Sequence, residues 1–212
     1  MDLVDFSRDL LAETLLAAGP SASTLCTGWQ TRHLAAHLVL RERLSMLNPF
    51  VRDGERQLQL MAARAEDPGA YARLVIEFRE GSGARPLRWP GVDSLANLLE
   101  YFVHTEDVRR ARVVWRPRRL GRSFDEKLWS QLVQRAAVLY RKAPTGIELV
   151  RPDGRRKRVH SAPRHSDAGV VEIRGGVGEL VMHAHGRPRS ALITLDGAPD
   201  DLAALRAFHV KI

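Results

Sequence analysis

Apolar side chains recur every three or four residues through the first two-thirds of the chain, which is the spacing of amphipathic helices. The first such pattern begins near Asp2 and stops at Gly19-Pro20, a pair of residues that ends helices. Thr31 is a candidate N-cap for a second helix that reaches about Leu47. The other helical patterns cover residues 54–81, with an interruption at 67–69, then 92–112 and 125–142.

The pattern changes after Pro144 and Gly146, where short segments of alternating polar and apolar residues begin. Strands are predicted over residues 146–151, 156–161, 170–174 and 190–195, and two short helices over residues 178–186 and 199–208. We therefore predict an α+β protein of two domains. Residues 1–143 would form a helical bundle, and residues 144–212 a small α/β domain.

The net charge of +8 raises the question of nucleic-acid binding, which the distribution of the charge disfavours. Only four of the 33 basic residues are lysines, a bias typical of a GC-rich coding sequence, and the basic residues are spread along the chain. The one dense basic cluster, residues 155–158, directly follows an Asp153-Gly154 turn and is typical of a solvated hairpin arm.

Several other classes are also disfavoured. No apolar stretch approaches the roughly 20 residues of a membrane helix, and the acidic first residues do not resemble a secretory signal. The single cysteine, Cys26, excludes an intramolecular disulfide and a four-cysteine zinc site, and it suits a reducing cytoplasm. Cys26 could be a nucleophile, but a small buried apolar role is commoner for a free cysteine.

One helix carries side chains that could bind a metal ion. Glu100 and His104 are four residues apart in the helix predicted over residues 92–112, so they lie on one face. Asp107 and Asn97 continue the same strip and could orient the ligands. The alternative is an ordinary solvated face. Apolar residues on both flanks of the strip favour a cleft instead.

His37 is the third candidate ligand. Its helix is apolar nearly all round, so His37 is expected to face inward. A lone histidine there could also be a hydrogen-bonded core residue, and His33 offers an alternative pairing with His37. His37, Glu100 and His104 together would leave one coordination position open, as catalytic metal sites do. These ligands suit Zn²⁺ first, then Ni²⁺ or Fe²⁺.

Two segments carry a resemblance to a known family. TLCTGWQTRHLAAHL (residues 24–38) and NLLEYFVHTEDV (residues 97–108) resemble two signatures of the DinB-like, mycothiol-dependent maleylpyruvate isomerase superfamily. The resemblance implies a DinB-like four-helix bundle over residues 1–143, in which His37, Glu100 and His104 bind the metal. Residues 144–212 are similar, less specifically, to the family's small sterol-carrier-like domain.

The resemblance also implies an activity. Mycothiol would be the thiol cosubstrate, bound at the divalent ion, and the protein would be an isomerase or a thiol transferase. The substrate would be a small molecule, with a carboxylated one as a candidate, and Arg41 or Arg187 could bind its carboxylate. Asn97 stands where the isomerase signature has arginine, so the substrate itself is not implied. No catalytic residue is assigned.

The alternative hypothesis is a non-catalytic metal-binding module whose basic surface contacts nucleic acid or a protein partner. The enzyme hypothesis is the one favoured here. Under it we expect a cytoplasmic monomer or homodimer with no membrane contact and with a small-molecule substrate and a low-molecular-weight thiol as partners.

Overall fold

The computed structural model describes residues 2–47, 54–81, 92–164 and 166–208. In these segments the chain is α+β, with eight α-helices and one four-stranded sheet. It forms two compact units, residues 1–116 and 117–212. The predicted domain boundary between residues 143 and 144 stays a prediction. No helix in the described segments is both long and apolar enough to cross a membrane.

The first unit contains five helices. They are α1 Leu3–Ala18, α2 Thr31–Leu47, α3 Gly54–Arg64, α4 Pro68–Glu80 and α5 Val92–Arg109. Asp67 caps α4, because its carboxylate accepts from the backbone N–H of Ala70 at 2.7 Å. Pro68 occupies the first turn, where its missing N–H costs nothing. The break predicted at residues 67–69 is therefore the start of a new helix.

Helix α1 is the hub of this unit, since it packs against α2, α4 and α5. Its Leu11 and Leu15 are fully buried. A polar network also links the helices: Arg8 forms an ion pair with Glu42 at 2.7 Å and bonds the Tyr101 hydroxyl at 2.9 Å. The Tyr101 hydroxyl in turn donates to Glu42 at 3.1 Å. This network joins α1, α2 and α5, and so fixes the two helices that carry the candidate ligands.

The second unit combines the sheet with three helices and a 3-10 turn. The elements are α6 Arg122–Leu139, β1 Gly146–Val150, β2 Arg156–His160, β3 Val170–Arg174, α7 Val177–Ala184, the 3-10 turn Pro188–Ser190, β4 Thr194–Asp196 and α8 Pro199–Ala207. The strand order is β2-β1-β3-β4, with β1 and β3 parallel and both outer pairs antiparallel. The predicted strands β1, β2 and β3 are confirmed to within a residue.

The strand predicted over residues 190–195 is shorter and later than expected. Pro188 begins a 3-10 turn, and the backbone N–H of Leu192 donates to the Glu179 carboxylate at 2.7 Å. That N–H is therefore unavailable to the sheet, and pairing with β3 starts only at Thr194. The start of β4 therefore depends on the side chain of Glu179, 13 residues before Leu192. The alternation of polar and apolar residues does not reveal such a contact.

A buried Tyr140–His183 pair links α6 to α7 in the second unit. The Tyr140 hydroxyl lies 2.8 Å from His183 Nδ1, and the rings stack at 6.0 Å. Burial lowers the pKa of His183 to about 4. The imidazole is therefore neutral in the folded protein at neutral pH.

This pair predicts acid sensitivity. An unfolded chain protonates His183 below about pH 6.5, but the folded chain does so only near pH 4, so stability falls as pH drops through that window. From pH 7 to pH 5 the His183 contribution to this loss is about 2 kcal/mol of unfolding free energy. Urea unfolding of wild type and His183→Phe, at both pH values, measures it. The variant should lose about 2 kcal/mol less on acidification than wild type does. Equal losses in the two proteins would contradict the assignment.

Candidate metal centre

Helices α2 and α5 bring three potential ligands together in the first unit. His37 lies on α2, and Glu100 and His104 lie one turn apart on α5. One ligand atom from each lies within 4.8 Å of the others. Glu100 Oε1 is 3.7 Å from His37 Nε2 and 3.9 Å from His104 Nε2. The two imidazole rings meet edge to face at 5.5 Å.

These spacings fit a small divalent ion. Ligands about 2.1 Å from a tetrahedral ion lie roughly 3.4 Å apart. The two separations between Glu100 and the histidines, 3.7 and 3.9 Å, exceed that by only a few tenths of an ångström. The side chain of His37 is 33% exposed, against 19% for Glu100 and 11% for His104. The cluster is therefore open to solvent on the His37 side, where a fourth, exchangeable ligand could enter.

Arg41 holds the second oxygen of Glu100. Its guanidinium is 2.6 Å from Glu100 Oε2 and donates twice to Asn97 Oδ1 at 3.1 Å. Burial alone would raise the pKa of Glu100. The attraction of His37, Arg41 and His104 outweighs burial and lowers it below its ordinary value. Glu100 is thus an ionised carboxylate that offers one oxygen, Oε1, to the histidines.

Asp107 lies behind His104. Its carboxylate is fully buried and accepts from His104 Nδ1 at 3.0 Å. With the Asp107 carboxylate as the acceptor, His104 carries its proton on Nδ1. The lone pair of Nε2 is then free on the side that faces Glu100. Such carboxylate–histidine pairs are the usual support of a metal-binding imidazole.

Cys26 lies at the same carboxylate. Its thiol donates to Asp107 Oδ2 at 3.3 Å, and the neighbouring Leu25 N–H donates to the Asp107 carbonyl at 3.0 Å. Cys26, His104 and Asp107 form a second group of potential ligands that shares His104 with the first. Cys26 is half-buried and hydrogen-bonded, where the sequence favoured a buried apolar role.

Trp29 is a further neighbour. Its ring lies 5.3 Å from that of His37, at an interplanar angle of 51°. Sequence reasoning did not single it out. The only signal was its place in the segment of residues 24–38, which also contains His37. Trp29 also packs against the buried cluster of Ala36, Leu40, Leu58 and Ala62.

Three other residues were singled out in the sequence: His33, Arg41 and Arg187. His33 uses Nδ1 to accept from the Gln30 N–H at 3.2 Å and joins neither group of potential ligands among the described residues. Arg41 is engaged by Glu100. Arg187 lies in the second unit, where it donates to the His185 carbonyl. The role of either arginine in binding a substrate carboxylate stays a prediction.

Comparison with known proteins gives similarity in structure only. No protein-family model matches the sequence, and no curated protein sequence does. One similar solved structure is the crystal structure of the mycothiol-dependent maleylpyruvate isomerase. It has a TM-score of 0.57 and 16% identity, with 93% of this chain and 92% of that chain covered. A histidine-to-alanine mutant of that isomerase has a TM-score of 0.53 and 17% identity, with the same coverage.

Identity this low is evidence about the fold. The likeness to this isomerase that residues 24–38 and 97–108 suggest is thus confirmed at the level of the fold, over nearly the whole of both chains. The chain has the fold of the mycothiol-dependent maleylpyruvate isomerase.

Proposed function

We propose that this protein is a divalent-metal-binding, mycothiol-dependent isomerase or thiol transferase that acts on a small molecule. The observation that carries the proposal is the group formed by His37, Glu100 and His104, with its solvent-open side. Zn²⁺ suits two imidazoles and one carboxylate best, and Ni²⁺ or Fe²⁺ are the alternatives. A divalent ion held there would lower the pKa of a thiol at its open position and favour the nucleophilic thiolate.

The surrounding residues have separate roles in this proposal. Arg41 pairs with one oxygen of Glu100, adds to the effect of His37 in keeping the carboxylate ionised, and leaves the other oxygen for the ion. Asn97 acts through Arg41, which it holds in place. Asp107 keeps the proton of His104 on Nδ1. No residue of the chain is assigned as the proton donor or acceptor of the reaction.

Within the α+β class, we propose a more specific fold for each part of the chain. Helices α1, α2, α4 and α5 pack as a connected set, in which α1 contacts the other three and α2 contacts α4. That arrangement supports a DinB-like four-helix bundle within residues 1–143. We further propose that residues 144–212 form a sterol-carrier-like domain, on the resemblance of their sequence. A cytoplasmic location belongs to the same proposal, because mycothiol is a low-molecular-weight thiol of the reducing compartment in which a lone cysteine persists.

Thiol binding to cobalt-substituted protein tests the function. Co²⁺ replaces Zn²⁺ in such sites and reports sulfur ligation by a charge-transfer band in the near ultraviolet. Mycothiol is expected to produce that band and to release about one proton per thiol at pH 7, because a free thiol has a pKa of about 8.5. The matched control ligand is mycothiol with a hydroxyl in place of its thiol, which should give neither signal.

Two outcomes would contradict the proposal. A cobalt spectrum that no thiol changes would remove the thiol-dependent reaction. Binding of duplex DNA by the metal-loaded protein, with a steep dependence on salt and no effect of thiol, would favour the non-catalytic module instead.

A further inference from the structure

A cavity lies wholly within the second unit. It has a volume of about 670 Å³ and is bounded by α7, the 3-10 turn, β4 and α8. The residues that line it include His183, Arg189, Ile193, Leu205, Arg206 and Phe208. This volume lies within the range of about 300–1,000 Å³ that is typical of small-molecule sites. The metal centre shares none of these residues.

His183 supplies a neutral hydrogen-bond donor to this cavity. Tyr140 is fully buried, and among the described residues His183 Nδ1 is the acceptor within reach of its hydroxyl. A buried hydroxyl proton without an acceptor is costly, so the hydroxyl donates to Nδ1. The imidazole proton is then on Nε2. No described residue pairs with Nε2, and His183 lines the cavity.

Two arginines supply positive charge. Arg189 lies in the 3-10 turn and Arg206 in the last turn of α8, and both are exposed and line the cavity. Within the described part of the chain, no acidic side chain lines the cavity or forms an ion pair with either arginine. This differs from Arg151 and Arg155, which share Glu126 and Asp153 in the same unit.

We propose that this cavity binds an amphipathic organic anion, whose anionic group meets Arg189, Arg206 and the Nε2–H of His183. Its apolar body lies against the side chains of residues such as Ile193, Leu205 and Phe208. The guanidinium fork matches a carboxylate or a similar oxyanion, and the neutral imidazole adds a donor without a competing charge. This binding site is independent of the metal-dependent reaction proposed above.

Calorimetric titration with naphthalene-1-acetate tests the proposal, with 2-(1-naphthyl)ethanol as its neutral counterpart. The acetate should bind at one site per chain. The alcohol should have an affinity lower by about tenfold or more, since it makes no charge-assisted hydrogen bond. Arg189→Gln/Arg206→Gln should weaken the acetate by about tenfold or more and leave the alcohol unchanged. Both side chains are exposed, so the fold is not at risk. Ala191→Phe, which fills part of the cavity, should weaken both ligands.

The matched control is Arg135→Gln, an exposed arginine of α6 that does not line the cavity. It should bind the acetate as wild type does. His104→Ala should also bind it unchanged, which separates this site from the metal centre. Absence of acetate binding, equal affinity for the two ligands, or equal loss in the arginine double variant and in Arg135→Gln would each overturn the proposal.

Discussion

His104→Ala is expected to lower the affinity for Zn²⁺ by about 10²–10³-fold. Structural zinc sites with four ligands have binding free energies of about 10–16 kcal/mol, which is roughly 3 kcal/mol for each ligand. His104 is the least exposed of the three ligands, and Asp107 holds its ring in place, so the variant exchanges a well-oriented imidazole for a weaker water ligand. Competition titration with a chromophoric zinc chelator measures the change.

His33→Ala is the matched control, because it removes the same side chain from the first turn of α2, four residues before His37. His33 binds the Gln30 N–H and lies outside both groups of potential ligands in the described segments. Its removal should leave zinc affinity within about twofold of wild type, as for a side chain that contacts no ligand. Equal zinc affinity for wild type, His104→Ala and His33→Ala would show that zinc does not bind where we place it.

The site residues that lie on one face of a single helix were predictable from the sequence. Glu100 and His104 are four residues apart, and the helix face that this spacing implies is the observed one. Asp107 was also expected on that face, and it contacts His104 Nδ1 as a supporting carboxylate does. The apolar residues around His37 predicted that it faces inward; its ring does meet that of His104, but its side chain is 33% exposed. Pairing the two helices needed the resemblance as well, since periodicity describes one helix at a time.

The loop side of the site was not predictable in this way. Cys26 reaches Asp107 across 81 positions of the chain, from a loop that has no periodicity to read. Trp29 lies near His37 because the loop turns back into α2, where Trp29 N–H donates to the Cys26 carbonyl at 2.9 Å. Arg41 was a candidate for binding a substrate carboxylate, which stays a prediction, and its ion pair with Glu100 was not foreseen. Such partners depend on how loops and helices meet in space.

The sequence also gave no sign that Glu106 forms a buried ion pair. It lies on α5 between the site residues His104 and Asp107, and a glutamate on an amphipathic helix is usually solvated. Here its side chain is fully buried. One oxygen accepts from Arg109 at 2.7 Å, and the other pairs with Arg110, whose side chain is 1% exposed. The Arg110 guanidinium also stacks on Trp115 at 4.5 Å.

Glu106→Leu is therefore expected to destabilise the protein by about 3–5 kcal/mol, because it leaves a buried guanidinium without its carboxylate. Leucine is close to glutamate in volume, so the loss reports the charge pair and not a cavity. Urea unfolding followed by circular dichroism measures it. Replacing the arginine too, in Glu106→Leu/Arg110→Met, should recover most of the loss, since apolar residues of similar size can substitute for a buried ion pair.

Glu66→Leu provides the matched control in the same unit. Glu66 is 72% exposed and faces Arg32 at 3.9 Å, so its removal should cost no more than about 1 kcal/mol. A Glu106→Leu loss as small as that of Glu66→Leu would mean that the buried pair contributes little. If the loss is large, the end of α5 is held by this pair. Zinc affinity should then fall in Glu106→Leu and return in the double variant, because His104 and Asp107 flank the residue that anchors them.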